Sequence, residues 1–284
     1  MIDDYRCFYC YLKGVERLIA HEHLNKKDAE GLTKDVLISC SNNYGKEGGV
    51  ERARDLNHMI QKYTGNSDPY KIEKKQSNDL ALGMYEEMKK NVLSSDNPFE
   101  TALRIAISGN IIDFALSEQY DLKATVNKVL TSDFGIDDSV QLKGEIKKAR
   151  KVLYLGDNNG EIVFDKLFVE TIDHPNLYFA VRGAPVINDG TLEDAKYVGM
   201  DEKAKIISNG YDAPSTIPEK CSAEFQELFN TADVIISKGQ GNLEGLMKRS
   251  DKRIFFLLMV KCNVVAERLR VRKGDFVVVR GDSF

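Results

Sequence analysis

An apolar run that stops abruptly at an acidic, amide-rich turn constrains this chain more than any other feature. Lys151-Val-Leu-Tyr-Leu-Gly156 reads as a buried strand, and Asp157-Asn-Asn-Gly160 cannot extend it, because Asp, Asn and Gly favour turns. Glu161-Ile-Val-Phe-Asp-Lys-Leu-Phe-Val-Glu170 then spaces its apolar residues as a helix does. Asp157 to Glu161 therefore sit at a strand-to-helix junction, which is where ligands bind in an open α/β sheet.

The second half of the chain keeps this rhythm. Apolar, β-branched or aromatic runs at Val152–Leu155, Leu177–Val181, Lys205–Ile207, Val234–Ile236, Ile254–Val260 and Phe276–Val279 alternate with segments long enough for helices. Such alternation predicts a largely parallel sheet covered on both faces. The first half reads differently. Helical spacing recurs after a cap at Asp3 or Asp4, then in Lys26–Cys40, Val50–Tyr63, Pro69–Val92, Phe99–Leu116 and Leu122–Leu130, with turn-forming breaks that include Asp133-Phe-Gly135. No strand of useful length is expected there. The predicted fold is α/β: a doubly wound, Rossmann-like sheet in a three-layer α/β/α arrangement, preceded by an all-helical N-terminal region. The helical region is assigned to residues 1–95 and the α/β domain, with its leading helices, to 96–284.

Composition removes several function classes. With 284 residues and a net charge of −4, the chain can bury a sizeable core but has no broad electrostatic attraction to nucleic acid. Ile254–Val260, its longest clean apolar run, is far short of the ~18 residues of a membrane span. The acidic N-terminus carries no secretory pattern, so a cytoplasmic location is expected. Five cysteines, of which Cys40, Cys221 and Cys262 stand alone, argue against a disulfide framework.

Several polar residues follow the expected strands directly, and in a parallel sheet these ends share one edge. Asp157, Asn158 and Asp189 offer two carboxylates and an amide carbonyl, hard oxygen ligands suited to Mg²⁺, Mn²⁺ or a similar ion, or else ordinary turn chemistry. Arg182 follows the second strand. Lys238-Gly-Gln-Gly-Asn242 opens a helix as a glycine-rich turn, either a cradle for phosphate, with Lys238, Gly239, Gly241 and Asn242 around the anion, or a tight connection that needs glycine. Lys261 follows the most apolar strand. Asn110 and Asp113 share one face of an apolar helix, as a buried hydrogen-bond network or as a second wall of the site. Cys7-Phe-Tyr-Cys10 lacks a second pair, and His21 and His23 lie too far along the same helix to complete a zinc site, so buried free thiols are expected.

Taken together, Asp157-Asn-Asn-Gly-Glu-Ile-Val-Phe-Asp165, Val181-Arg-Gly-Ala-Pro-Val-Ile-Asn-Asp189 with Asp194, Ser237-Lys-Gly-Gln-Gly-Asn-Leu-Glu244 and Lys261-Cys262 resemble the motif series of the damage-control phosphatases. Gly109-Asn-Ile-Ile-Asp113 and the Cys7–Cys10 pair resemble its smaller archaeal and bacterial branch. The chain departs from the usual pattern at Asn159, where a small residue is common, and in the less glycine-rich loop Asn209–Pro214.

The resemblance implies a metal-dependent phosphatase of small phosphorylated metabolites, sugar phosphates or related damaged or surplus compounds, in metabolite repair. Its metal ligands carry over to Asp157, Asn158 and Asp189, for Mg²⁺, Mn²⁺, Co²⁺ or Ni²⁺, and its phosphate-contacting lysine to Lys261. Lys238 and its glycine-rich turn line the same site, and Glu161 or Asp113 is a candidate base. Two alternatives stand beside it. One is an S-adenosylmethionine-dependent methyltransferase, suggested by Val152-Leu-Tyr-Leu-Gly-Asp157; the other is a non-catalytic protein that binds a phosphometabolite.

Overall fold

A computed structural model describes residues 4–45, 48–109 and 128–283. Its centre is a seven-stranded sheet in the order β1-β7-β6-β5-β2-β3-β4. The strands are β1 (Phe134–Asp137), β2 (Val152–Leu155), β3 (Leu177–Val181), β4 (Lys205–Ser208), β5 (Val234–Lys238), β6 (Ile254–Met259) and β7 (Phe276–Arg280). Neighbours run parallel except β6 and β7. From β2 the chain moves outward through β3 to β4, then returns to lay β5 on the other side of β2. The strand order thus reverses between β2 and β5, the position at which an open α/β sheet leaves a crevice.

The sheet's two faces follow from strand periodicity. Val152, Tyr154, Phe179, Ile236 and Phe255 point into one apolar layer, and Leu153, Leu155, Ile235, Phe256 and Leu258 into the other. Helices α4 (Lys71–Leu93), α5 (Pro98–Ser108) and α7 (Glu161–Ile172) cover the first face. Helix α5 buries Ala102, Leu103, Ile105, Ala106 and Ile107, so it is apolar nearly all round, as a helix enclosed by neighbours must be. The second face is covered by α9 (Ala223–Thr231), α10 (Gly239–Leu246) and α11 (Asn263–Leu269). Helices α6 (Ser139–Lys148) and α8 (Leu192–Tyr197) complete the layers.

Ahead of the sheet, α1 (Tyr5–His21), α2 (Lys26–Asn43) and α3 (Gly49–Thr64) enclose a separate cluster around Leu32, Val36 and Ile60. Asp4 caps α1 by accepting from the Arg6 N–H at 2.8 Å, and Asn25 caps α2 through the Asp28 N–H at 3.1 Å. No described helix is long and apolar enough to cross a membrane.

The α/β/α architecture and the helical lead-in agree with the sequence expectation. One element departs from it. Asp133-Phe-Gly135 was expected to be only a break, yet Phe134–Asp137 forms edge strand β1 along β7. Phe134 and Ile136 are half-buried and Gly135 and Asp137 exposed, but an alternation only four residues long is too short to read as a strand, and its pairing partner lies more than a hundred residues away. Asn110 and Asp113, with most of the expected Leu122–Leu130 helix, lie outside the described residues.

Phe256 on β6 is fully buried, whereas Val140 on α6 is 84% exposed. Phe256→Ala is expected to lower unfolding free energy by ~3–5 kcal/mol. Val140→Ala should change it by no more than about 0.5 kcal/mol, both read from urea denaturation curves.

Candidate active site

The loops that leave β2 and β3 pair with each other beyond the sheet. The Gly190 N–H donates to Asp157 O at 2.8 Å, the Asn159 N–H donates to Asn188 O at 2.9 Å, and Asn158 and Asp189 form an antiparallel bridge. This short ribbon sets Asp157, Asn158 and Asp189 side by side at the switch point. Asn159 rivets it: its side-chain amide donates to Asn188 O and Asp189 O at 3.1 and 3.2 Å, while its own carbonyl accepts from Asn78 of α4 at 2.8 Å. Asn78 also accepts from the Gly160 N–H at 2.6 Å. The larger residue at Asn159 thus ties both loops to the helical region, a role no small side chain could fill.

Arg182 spans the two carboxylates from the end of β3. It donates to Asp189 Oδ2 at 2.5 Å and to Asp157 Oδ1 at 3.0 Å, and its remaining face bonds Asn242 Oδ1 at 2.9 Å and Thr216 Oγ1 at 3.2 Å. At 2% exposure its donors are committed to this frame, so the structure gives Arg182 the task of a strut rather than a contact open to phosphate. Asn242 is equally committed, donating to Gly156 O and Lys238 O.

Asp157 and Asp189 are themselves nearly enclosed. Burial pushes Asp157 well above the usual carboxylate range, with Asp189 and Glu161 adding to the rise and Arg182 and Lys261 opposing it. Asp189 is also raised, first by burial, against the pull of Arg182 and Lys261. Gly239 explains the glycine that opens α10. Its φ of +76° suits no L side chain, and a β-carbon there would stand 1.8 Å from Asp157 Oδ2. Gly241 makes room instead for the Pro214 carbonyl, 2.3 Å from where a β-carbon would lie.

Lys238 departs from its expected place. Its ammonium donates to Asp165 Oδ1 at 2.5 Å, Glu161 Oε1 at 2.6 Å and Ala106 O at 2.9 Å, wholly buried beneath α5 and α7. Tyr154 donates its hydroxyl to the same Asp165 oxygen at 2.7 Å. Burial pushes Asp165 up to about 7 even so. Lys238 is the last residue of β5, and period 2 turns it to the face that Val234 and Ile236 share. It therefore balances Glu161 and Asp165 instead of meeting an anion, and Glu161 is its partner instead of a phosphate contact. The strand's alternation carried that signal.

What remains open is a cavity of about 250 Å³ walled by Asp157, Asn158, Asp189, Lys261, Gln240 and Glu244. Lys261 acts electrostatically on both carboxylates. Gly49, Val50 and Ala53 of α3 close another side, and sequence reasoning missed this wall, as it missed Asn78 and Thr216; Gln240 and Glu244 fell within a quoted motif but were given no role. Asn78 had a legible cue, an amide on the buried stripe of α4 with Lys74, Ala81 and Tyr85. Ile187 at the rim has φ +46°, a strained conformation for a β-branched residue. Asp194 lies apart, capping α8 through Thr191 and pairing with Lys74 at 3.5 Å. Among the described residues no three His, Cys, Asp or Glu side chains group as a set that could hold a metal ion. Cys7 and Cys10 are free thiols but not the buried ones expected: Cys7 is half-buried and Cys10 exposed, on an α1 whose buried side is carried by Val15 and Leu18.

The fold and this edge define an α/β protein with a carboxylate-lined cavity at its topological switch point. Residues 4–277 match the damage-control phosphatase ARMT1-like domain. The chain is 42% identical to damage-control phosphatase PH1575 of Pyrococcus horikoshii, over 98% of this chain and 97% of that one. It is 33% identical to a damage-control phosphatase of Archaeoglobus fulgidus, over 86% of each. The crystal structure of a DUF89 family protein from P. horikoshii superposes with a TM-score of 0.89 at 34% identity, covering 99% of both chains. The chain belongs to the damage-control phosphatase family.

Replacing Lys238 by Met would take from Glu161 and Asp165 the cation they share. Lys238→Met is expected to destabilise the fold by ~3–5 kcal/mol, measured as a shift of the urea midpoint.

Proposed function

We propose that the protein is a divalent-metal-dependent phosphatase that hydrolyses phosphomonoesters of small metabolites. The observation that carries this reading is the meeting of Asp157, Asn158 and Asp189 with Lys261 in one cavity. Membership of the family and the names of its relatives support it.

The donor set fits a hard cation. Arg182 engages one oxygen of each carboxylate, Asp157 Oδ1 and Asp189 Oδ2. The other oxygens and the Asn158 amide carbonyl are the ligand types that Mg²⁺, Mn²⁺, Co²⁺ or Ni²⁺ accept. Two buried carboxylates whose pKa values are pushed up by burial favour a further positive charge. Asp157, Asn158 and Asp189 would hold the ion, which when bound supplies charge for phosphoryl oxygens and acidity for water.

The chain's own residues do the rest. Lys261 neutralises charge that grows on the phosphoryl oxygens. Helix α10 starts at Lys238 without a side-chain cap, leaving first-turn N–H groups suited to an anion. Arg182, Asn242 and Thr216 keep the carboxylates from moving as charge shifts. Phosphoryl transfer depends chiefly on such positioning and electrostatics, so the inventory is sufficient in kind.

The test is phosphate release from a panel of small phosphate esters with each of the four ions, against a chelated control. Metal-dependent release is expected, and its absence across the panel would falsify the proposal. Asp157→Ala should abolish calorimetric metal binding while retaining the native circular dichroism. Lys261→Ala should bind metal and lose on the order of 10²-fold or more in kcat; full activity in either variant removes that residue's assigned role.

A further inference from the structure

The cavity holds a carboxylate that the phosphatase reading leaves without a task. Glu244 lies on α10, five positions beyond Gly239, which at a rise of ~1.5 Å per residue is about 7.5 Å along the helix from the turn against Asp157. That separation is roughly the length of a small phosphorylated metabolite. Within a site built for a phosphate dianion, a second negative group at such a distance is costly. Like charges at that separation in a partly buried site still repel one another.

Its orientation is fixed rather than incidental. The Lys261 N–H donates to Gln240 Oε1 at 3.2 Å, and the Gln240 side-chain amide donates to Glu244 Oε1 at 3.0 Å. The same amide reaches Cys262 Sγ at 3.5 Å. Gln240 thus takes up one carboxylate oxygen from within its own helix and couples it to the backbone of Lys261. Glu244 Oε2 is turned the other way, across the cavity toward the first turn of α3, and would lie 3.5 Å from a β-carbon at Gly49. Val50 and Ala53, apolar and on that same helix, line the space beside it.

The geometry points to Glu244 as the residue that selects the leaving group: it accepts hydrogen bonds from hydroxyls on the carbon skeleton of a phosphomonoester and repels leaving groups that carry further anionic charge. The inference rests on the phosphatase reading and narrows its substrate class to neutral polyol monophosphates. Glu244 touches neither the phosphoryl group nor its ligands, so its effect falls on discrimination between esters. Burial raises the carboxyl above its usual range against both the Gln240 bond and the charge of Arg52, so its charge is partly offset from the α3 side and the group is better stabilised when a ligand donates to it.

The experiment measures kcat/KM of wild type, Glu244→Gln and Glu244→Ala, each with the metal that best supports the wild type. The esters are a polyol monophosphate, the corresponding bisphosphate, an aminoalkyl phosphate and an aryl phosphate without donors. Glu244→Ala should lower the polyol-to-aryl ratio at least tenfold, and Glu244→Gln, which keeps an acceptor, by less. Both variants lose the charge and should gain at least tenfold for bisphosphate relative to monophosphate. Ratios that stay constant, whether the activities hold or fall together, overturn the assignment, as does a wild-type preference for the aminoalkyl ester over the polyol. Melting temperatures within a few degrees of wild type separate a change of selectivity from misfolding. A wild type that hydrolyses none of the esters with any metal refutes the phosphatase reading itself and the role of Glu244 with it. An active wild type with unmoved ratios refutes only Glu244.

Discussion

The guanidinium of Arg182 is the contact on which the site depends. Two carboxylates this deeply enclosed repel each other and are costly to ionise, and a planar fork of donors can hold both at a fixed spacing where a lysine could not. Because Asn242 and Thr216 consume its other face, the strut has no freedom to follow a ligand. The arrangement gives two rigid, buried carboxylates whose charge Arg182 compensates only in part, since both remain raised above the usual range.

A second buried ion cluster stands immediately behind the first. Lys238, Glu161, Asp165 and Tyr154 fill the space between β2, β5, α5 and α7, joined through Asp165 Oδ1 and Glu161 Oε1 while Asp165 Oδ2 is left without a hydrogen-bond partner. Strand β5 and the start of α10 thus serve both sides. Lys238 faces inward to neutralise the helix carboxylates, and the next residue, Gly239, presses bare backbone against the outer carboxylate. Successive residues of a strand point to opposite faces, and here that alternation separates a structural charge from a functional surface by one peptide unit.

The helical region is part of this construction and not merely an attachment. Asn78 on α4 holds the turn from one side through Asn159 and Gly160. From another side α3 provides the wall opposite Glu244, and it is anchored to the loop over the cavity where Arg54 and His58 meet Asp212. The carboxylate-bearing loops belong to the sheet, but the shape of the cavity is set jointly with the helical region.

The sequence by itself determined the alternation of strands and helices, the helical lead-in, and the convergence of Asp157, Asn158, Asp189 and Lys261 at one edge. Those follow from local periodicity and from the rule that parallel strands end together. The motif series was legible for the same reason, since each piece is a short run of residues in a turn. Tertiary structure decided most of which side chains face the cavity. The inward turn of Lys238 was written in the alternation of β5, whereas Arg182 after β3 and Asn242 on α10 stand beside the opening yet are consumed by buried partners distant in sequence. Edge strand β1 and the α3 wall likewise depend on pairings across more than a hundred residues, and no local pattern encodes them. A turn residue's chemistry is written in its side chain, but its availability depends on what the folded chain packs against it.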